Sequence, residues 1–436
     1  MPLRPLLSRL CGLAPLLLAL LAVLPATAQR HHDDDVPAER HPDRLPPVLT
    51  GADAPYIAPY LPATTPGSGA SLTVALDGLL ADPLFERTQV GLYVYDLTAD
   101  VPLYAHGERQ LLRPASCQKL VTAITALDLL GTGYLYATRL SYHGEISDST
   151  LRGDLILRGG FDPLLGPSDL RQLADSVLAL GIRCVEGDVV FDRSLKDSLA
   201  WGWGWCWDDE ETPLTPLLCD GRPGLEGEWL TALAAAGIRF TGQQRYDVAG
   251  RGARPLACCT HTVDQVLLPM LKESDNLFAE SLFYQIAAQS GHHSPGREEA
   301  AQAVGRLLSR LRLEPDDYLI ADGSGLSLYN YLTPEALVAL LRYAYHDEAI
   351  YRHLLPALPV AGEDGTLRRR MKSGAACGNV RAKTGTLEGV STLAGYCTAP
   401  NGHQLCFAIM NQGIRRGADA RRFQDRVCKA LTGTPD

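Results

Sequence analysis

Strand-forming sequence stands near both ends of this chain and helix-forming sequence fills the interval, which confines it to folds whose distant ends meet in one sheet. From Gln89 to Leu97 the run QVGLYVYDL alternates as a half-buried strand does, and VPLYAH returns after Thr98-Ala99-Asp100 as its antiparallel partner. At the far end NVRAKTG, VSTLAGYCTA, the turn Pro400-Asn401-Gly402 and HQLCFAIMNQ read as consecutive strands, closed by a helix near Arg416 to Leu431. Between them Leu120, Ile124, Leu127 and Leu130 recur at helical spacing up to Gly131, and three further helical stretches follow residue 263. The last opens on Thr333-Pro334-Glu335 as cap, first helical residue and acidic first turn. An α+β fold is expected: an antiparallel sheet flanked by helices, with a helical subdomain, built from 71–137 and 263–436. Residues 138–262 read differently. Short β-prone runs (RLSYHG, LRGDLILRGG, GDVVFD) surround one helix, Pro167 to Leu180, and a Trp-rich loop, WGWGWCWDDEE, and predict an inserted mixed α/β domain. The loop's four tryptophans are expected to pack against a neighbouring domain rather than to stack on a ligand.

Arg4 and Arg9, the apolar residues 10–24 and Ala26-Thr27-Ala28 form the pattern of a signal peptide cleaved after Ala28. The expectation is an exported protein, periplasmic or associated with the cell envelope, with no transmembrane anchor in the mature chain. Residues 29–70 read as a disordered linker, with eight prolines between Gln29 and Pro66. His31-His32-Asp33-Asp34-Asp35 is read as part of this solvated tail, and no Cys-x-x-Cys occurs, so no metal or other cofactor is expected. Ten cysteines follow Cys11, and export permits disulfides, but free thiols are equally compatible with the sequence. A net charge of −10 speaks against nucleic acid as a partner.

Three short patterns occur in order: Ser116-Cys117-Gln118-Lys119 at the start of the first central helix, Ser274-Asp275-Asn276 in the helical part, and Lys383-Thr384-Gly385 at a strand end. Only six of the 40 Lys and Arg residues are lysine, so Lys-Thr-Gly is expected by chance ~0.04 times at average residue usage. Taken singly, Ser116 could be only a helix cap, Lys119 a first-turn lysine, Ser274 and Asn276 a polar helix face, and Lys383 a strand-end charge. Their order and contexts favour one site. A serine hydroxyl is a poor nucleophile until a base removes its proton, and a lysine at i+3 lies on the same helix face. Lys119 must be neutral for that task, through desolvation or a nearby cation such as Lys383. The N–H of Ser116, at a helix start, and that of Thr386 are candidate donors to an oxyanion.

This ordered set is the recorded signature of class A β-lactamases and penicillin-binding proteins. With GDLILRGGFDP (153–163), ADGSGLS (321–327), LPVAGEDGTLRRRM (358–371) and VRAKTGTLEGVSTLAGY (380–396), the chain resembles the D-alanyl-D-alanine carboxypeptidase/endopeptidase family typified by penicillin-binding protein 4, of the low-molecular-mass class C penicillin-binding proteins. The resemblance implies a serine β-lactamase/transpeptidase-like domain carrying an insertion, and a serine-type D-Ala-D-Ala carboxypeptidase. It would cleave peptidoglycan stem peptides or crosslinks through an acyl-enzyme, with β-lactams as covalent inhibitors. It further implies Ser116 as nucleophile, Lys119 as base, Ser274 as proton relay and Asn276 as a substrate contact that also holds Lys119. Lys383 and Thr384 would bind the terminal carboxylate, Gly385 would adjoin the substrate, and Thr386 would complete the oxyanion hole. The interval between the first two motifs implies one insert rather than two. No Glu-x-x-x-Asn follows Ser274 before Lys383, so the deacylating glutamate of class A β-lactamases has no counterpart. A catalytically silent wall-binding or β-lactam-sensing homologue is the alternative, and the intact Ser116, Lys119 and Lys383 count against it. Cys117, beside the nucleophile, offers an oxidation site.

Overall fold

The computed structural model describes residues 69–433. Helix α1 (Gly69–Leu80), strands β1 (Gln89–Asp96) and β2 (Val101–His106) and helix α2 (Gln118–Leu130) come first. There follow β3 (Leu135–Tyr142), β4 (Glu145–Ser147), β5 (Thr150–Arg152), β6 (Leu155–Arg158), α3 (Pro167–Ala179), β7 (Cys184–Val185) and β8 (Val189–Asp192). Next are β9 (Leu218–Cys219), β10 (Arg222–Pro223), α4 (Leu225–Ala235), β11 (Arg239–Phe240), β12 (Gln244–Tyr246) and β13 (Arg254–Thr262). Helices α5 (Val263–Lys272), α6 (Asn276–Ala288), α7 (Arg297–Arg310), α8 (Pro334–His346) and α9 (Glu348–Ala357) precede β14 (Arg381–Leu387), β15 (Val390–Thr398), β16 (Gln404–Gln412) and α10 (Gly417–Thr432).

The two ends of the chain meet in one five-stranded sheet of order β14-β15-β16-β1-β2, antiparallel throughout. The closing ladder runs from Gln89 opposite Gln412 to Asp96 opposite Leu405. Both faces of this sheet are covered, because successive side chains of a strand point to opposite sides. Leu405, Phe407 and Ile409 pack with Leu76 of α1 and Phe423 and Val427 of α10. Cys406, Ala408 and Met410 turn the other way, into a core shared with Leu120 and Ile124 of α2 and Leu337 and Leu341 of α8. Double coverage explains why β16 is a nearly unbroken apolar run instead of an alternating one. Helix α2 packs among α6, α8, α7 and α9, and every residue from Gln118 to Leu127 is buried.

A third core is drawn wholly from residues 140–259, among them Leu155, Leu173, Val177, Phe191 and Trp229. It underlies a five-stranded sheet of order β12-β8-β6-β3-β13 and a four-stranded sheet of order β11-β7-β5-β4, each mixing parallel and antiparallel pairs. Helix α3 stands where Pro167 to Leu180 predicts one, but α4 is a second helix that the sequence reading leaves out. This segment is fastened to α6 through the turn at 159–162: Ser281 Oγ donates to the Phe161 carbonyl at 2.7 Å and Gln285 Nε2 to the Gly160 carbonyl at 2.8 Å.

The Trp-rich loop bridges the same two regions. The Trp205 indole donates to Asp322 Oδ2 at 3.0 Å, and Trp203 packs on Tyr329 at 4.9 Å between ring centres, with the Arg297 guanidinium over its face. Packing thus accounts for Trp203 and Trp205 and not for Trp201 or Trp207, which are 53% and 96% exposed. The ten cysteines after Cys11 are free thiols. Among the described residues no helix is long and apolar enough to cross a membrane. The signal peptide and all of the Pro-rich linker up to residue 68 lie outside the described residues.

Candidate active site

Ser116 sits in the single 3-10 turn Ala115–Cys117 that leads into α2, with Ala115 at φ 46°, a left-handed conformation rare for a residue with a side chain. That strained turn delivers Ser116 to the edge of the sheet. It is held there by Cys117, whose thiol donates to the Lys383 carbonyl at 3.2 Å, and by Thr392, whose hydroxyl donates to the Pro114 carbonyl at 2.7 Å. Cys117 is fully buried and its thiol is pushed up by that burial, so the expected oxidation site is shielded in its unreactive protonated form.

One helical turn on, Lys119 is wholly buried and its Nζ reaches Ser116 Oγ at 3.2 Å, Asn276 Oδ1 at 2.6 Å and the Ser324 carbonyl at 2.8 Å. Burial brings its pKa down to about 8, against the opposing pull of Asp322, Glu280, Asp275 and Glu211. Asn276 Oδ1 and the Ser324 carbonyl are acceptors only. A neutral amine therefore spends both N–H bonds on them and turns its lone pair to the Ser116 hydroxyl, the arrangement a base requires.

The second motif divides its labour by position. Asp275 caps α6, its carboxylate accepting from the Phe278 N–H at 3.1 Å, which frees the residues on either side to face the site. Ser274 is held at φ 66°, and its hydroxyl accepts from Lys383 Nζ at 2.8 Å. Asn276, the first helical residue, spans two partners: its oxygen accepts from Lys119 and its Nδ2 donates to Glu211 Oε1 at 2.5 Å.

On β14, Lys383 Nζ also donates to the Thr384 carbonyl at 2.7 Å, and the Thr384 hydroxyl bonds that of Thr366 at 2.8 Å. Burial, and then the charge of Lys119, push Lys383 well below the ordinary lysine value. Gly385 answers a close approach: a Cβ there would stand 2.1 Å from Thr392 Oγ1 and 2.9 Å from the Ser116 nitrogen. Only glycine lets the strand pass this near the Ser116 N–H. Thr386 follows, exposed at the rim.

Ser116, Lys119, Ser274, Asn276 and Lys383 thus converge, with Thr384, Gly385 and Thr386 along the adjoining strand. Sequence reasoning missed Glu211, Glu280, Asp322, Ser324 and Thr366. Glu280 carried a signal, since it follows Asn276 by one helical turn. Its buried carboxylate accepts from the N–H groups of Gly323 and Ser324, which fixes the Ser324 carbonyl against Lys119. Asp322 accepts from the N–H groups of Gly325 and Ser327 in the same loop. Beside Asn276 opens a cavity of about 620 Å³ lined by Pro163, Glu210, Glu211, Asp220 and Asp275.

The fold is serine β-lactamase/transpeptidase-like. Its solved relatives include penicillin binding protein 4 from Haemophilus influenzae, 23% identical, with a TM-score of 0.76 over 83% of this chain and 99% of that one. That protein has also been solved with a novel β-lactam. Residues 72–218 and 226–432 match the D-Ala-D-Ala carboxypeptidase 3 (S13) family, and the chain belongs to it. It is a carboxypeptidase of the D-Ala-D-Ala class. Relatives include the D-alanyl-D-alanine carboxypeptidase of Actinomadura sp. strain R39, 29% identical over 89% of this chain and 88% of that one. Carboxypeptidase DacB of Mycolicibacterium smegmatis is 30% identical over 95% of this chain and 94% of that one.

Proposed function

We propose that the protein cleaves the terminal D-Ala-D-Ala bond of peptidoglycan stem peptides, or the corresponding crosslink, through an acyl-enzyme on Ser116. The observation that carries this reading is the Lys119 amine, desolvated and 3.2 Å from Ser116 Oγ, with its other neighbours all acceptors. The Ser116 oxygen attacks the carbonyl carbon while Lys119 takes its proton. The N–H groups of Ser116 and Thr386 face the oxyanion. The Ser274 hydroxyl, bonded to Lys383, hands a proton to the departing amine of D-alanine and is resupplied through the lysines. Lys383 and Thr384, with the backbone at Gly385, hold the terminal carboxylate, and Asn276 contacts the peptide as well as Lys119. Water then releases the acyl group by the same path in reverse.

A β-lactam presents an amide beside a carboxylate and would acylate Ser116 likewise, in keeping with the β-lactam complex of the Haemophilus protein. The expected place of work is the cell envelope after export. The test is release of D-alanine from a stem-peptide mimic ending in D-Ala-D-Ala, beside the same peptide ending in L-Ala-L-Ala. Release from the first alone supports the reading. Equal release from both would make the protein a general peptidase.

A further inference from the structure

Asn276 stands between partners of opposite character. A primary amide has an accepting end and a donating end, and turning it over exchanges them. Toward Lys119 it must present its oxygen, because an NH2 group there would compete with Ser116 for the amine's lone pair. What holds the amide in that orientation lies on its other side, at Glu211 Oε1, 2.5 Å from Nδ2. An ionised carboxylate only accepts, so the reversed amide would set an oxygen against an oxygen. We propose that Glu211 is a positioning residue that locks the Asn276 amide with its oxygen toward Lys119 and so leaves the lysine lone pair to Ser116.

Glu211 is itself fixed. It ends the Trp-rich loop, whose Trp205 indole is tied to Asp322. The turn before it is closed by the Cys206 N–H on Asp209 Oδ2 at 2.6 Å and by the Glu211 N–H on the Asp209 carbonyl at 3.0 Å. Asp322 in turn braces the loop that offers the Ser324 carbonyl to Lys119. Both acceptors of the lysine are thus set by groups that the indole joins. This role rests on the function proposed above, in which Lys119 is the base.

A charge effect accompanies the geometry. The charged groups around Lys119 are Asp322 in the loop, Glu280 and Asp275 at α6, Glu211 in the Trp-rich segment and Lys383 on β14. Asp275 and Asp209 also face Glu211, whose own carboxyl is raised by burial. The negative charge of Glu211 raises the Lys119 pKa, so its removal moves the acid limb of the rate profile to lower pH.

The experiment is the rate constant of acylation at saturating benzylpenicillin from pH 5 to 10, read by intact mass, for the wild type, Glu211→Gln and Glu211→Asp. Glutamine keeps the size of glutamate, and thermal unfolding checks that the variants are folded. In Glu211→Gln the limb moves down by roughly half a pH unit and the plateau falls about tenfold, since the amide is free to turn. Glu211→Asp, still charged and accepting only, keeps the limb near its wild-type position and recovers part of the plateau. A Glu211→Gln profile that superimposes on the wild type overturns the role. So does a lower plateau with the limb in place, which marks a structural effect, and a shifted limb at full plateau, which marks a distant charge. Wild-type acylation with unmoved variants refutes the positioning role alone, whereas no wild-type acylation at Ser116 removes the function beneath it and the role with it.

Discussion

Lys119 and Lys383 are both wholly buried, within reach of the two motif serines, yet their surroundings are opposite. Four acidic groups, Asp322, Glu280, Asp275 and Glu211, act on Lys119 and limit its fall to about 8, although Glu280 is itself raised by burial and so acts on it less than a fully ionised carboxylate would. For Lys383 burial comes first and then the charge of Lys119, and both push it well below the ordinary lysine value. Burial thus lowers both amines, and the charges around each decide how readily it takes a proton back. A base must recover a proton at every turnover, which suits Lys119. A site for a carboxylate benefits from an amine that becomes charged only when the substrate's anion arrives to pair with it.

The largest effect should come from removing the proposed base. Lys119→Ala is expected to slow β-lactam acylation about 10³-fold, measured as adduct formation against time. Lys383→Ala should lower kcat/KM for a peptide with a free terminal carboxylate roughly 10²-fold, through loss of both the anion partner and the hydrogen bond to Ser274. If the order of these effects reversed, the assignment of roles would be exchanged.

A pH profile sharpens the contrast. Only the neutral form of Lys119 accepts a proton, so acylation should rise with pH, about tenfold per unit, and level off above about 8. Carboxylate binding at Lys383 runs the other way, because a bound anion favours the protonated amine and binding takes up a proton, so KM for the peptide should climb as pH rises. The smallest effect is in stability. In Glu280→Gln the amide oxygen can keep the bonds from the Gly323 and Ser324 N–H groups that Oε1 now accepts, and only the second contact of Gly323 is lost, so the change should cost no more than about 1 kcal/mol, read from denaturant unfolding.

Local pattern marks β1, β15 and β16, whose alternating or continuous apolar runs are bounded by turns, whereas β14, RAKTGTL, has no such run and is marked by its motif and its place before them. Their union in one sheet followed from having strands at both ends. Helix α4 escaped notice although Leu225, Trp229, Ala232 and Leu233 have helical spacing. It begins at Gly224 with φ 123° and no side-chain cap, and it carries Gly227 inside, so the usual punctuation is missing. The site divides in the same manner. Ser116 and Lys119 share a helix turn, and Ser274 and Asn276 flank a helix cap, so spacing reveals them. Glu211 and Asn276 are 65 residues apart, and only folding brings them together.

The measurement closest to the central claim is the intact mass of the folded protein incubated with benzylpenicillin, with Ser116→Ala alongside. One persistent adduct per chain in the wild type, absent from the variant, is the predicted result. An adduct of equal size and lifetime in Ser116→Ala, or none in either protein with the drug left intact, would contradict the assignment of Ser116 as the activated nucleophile.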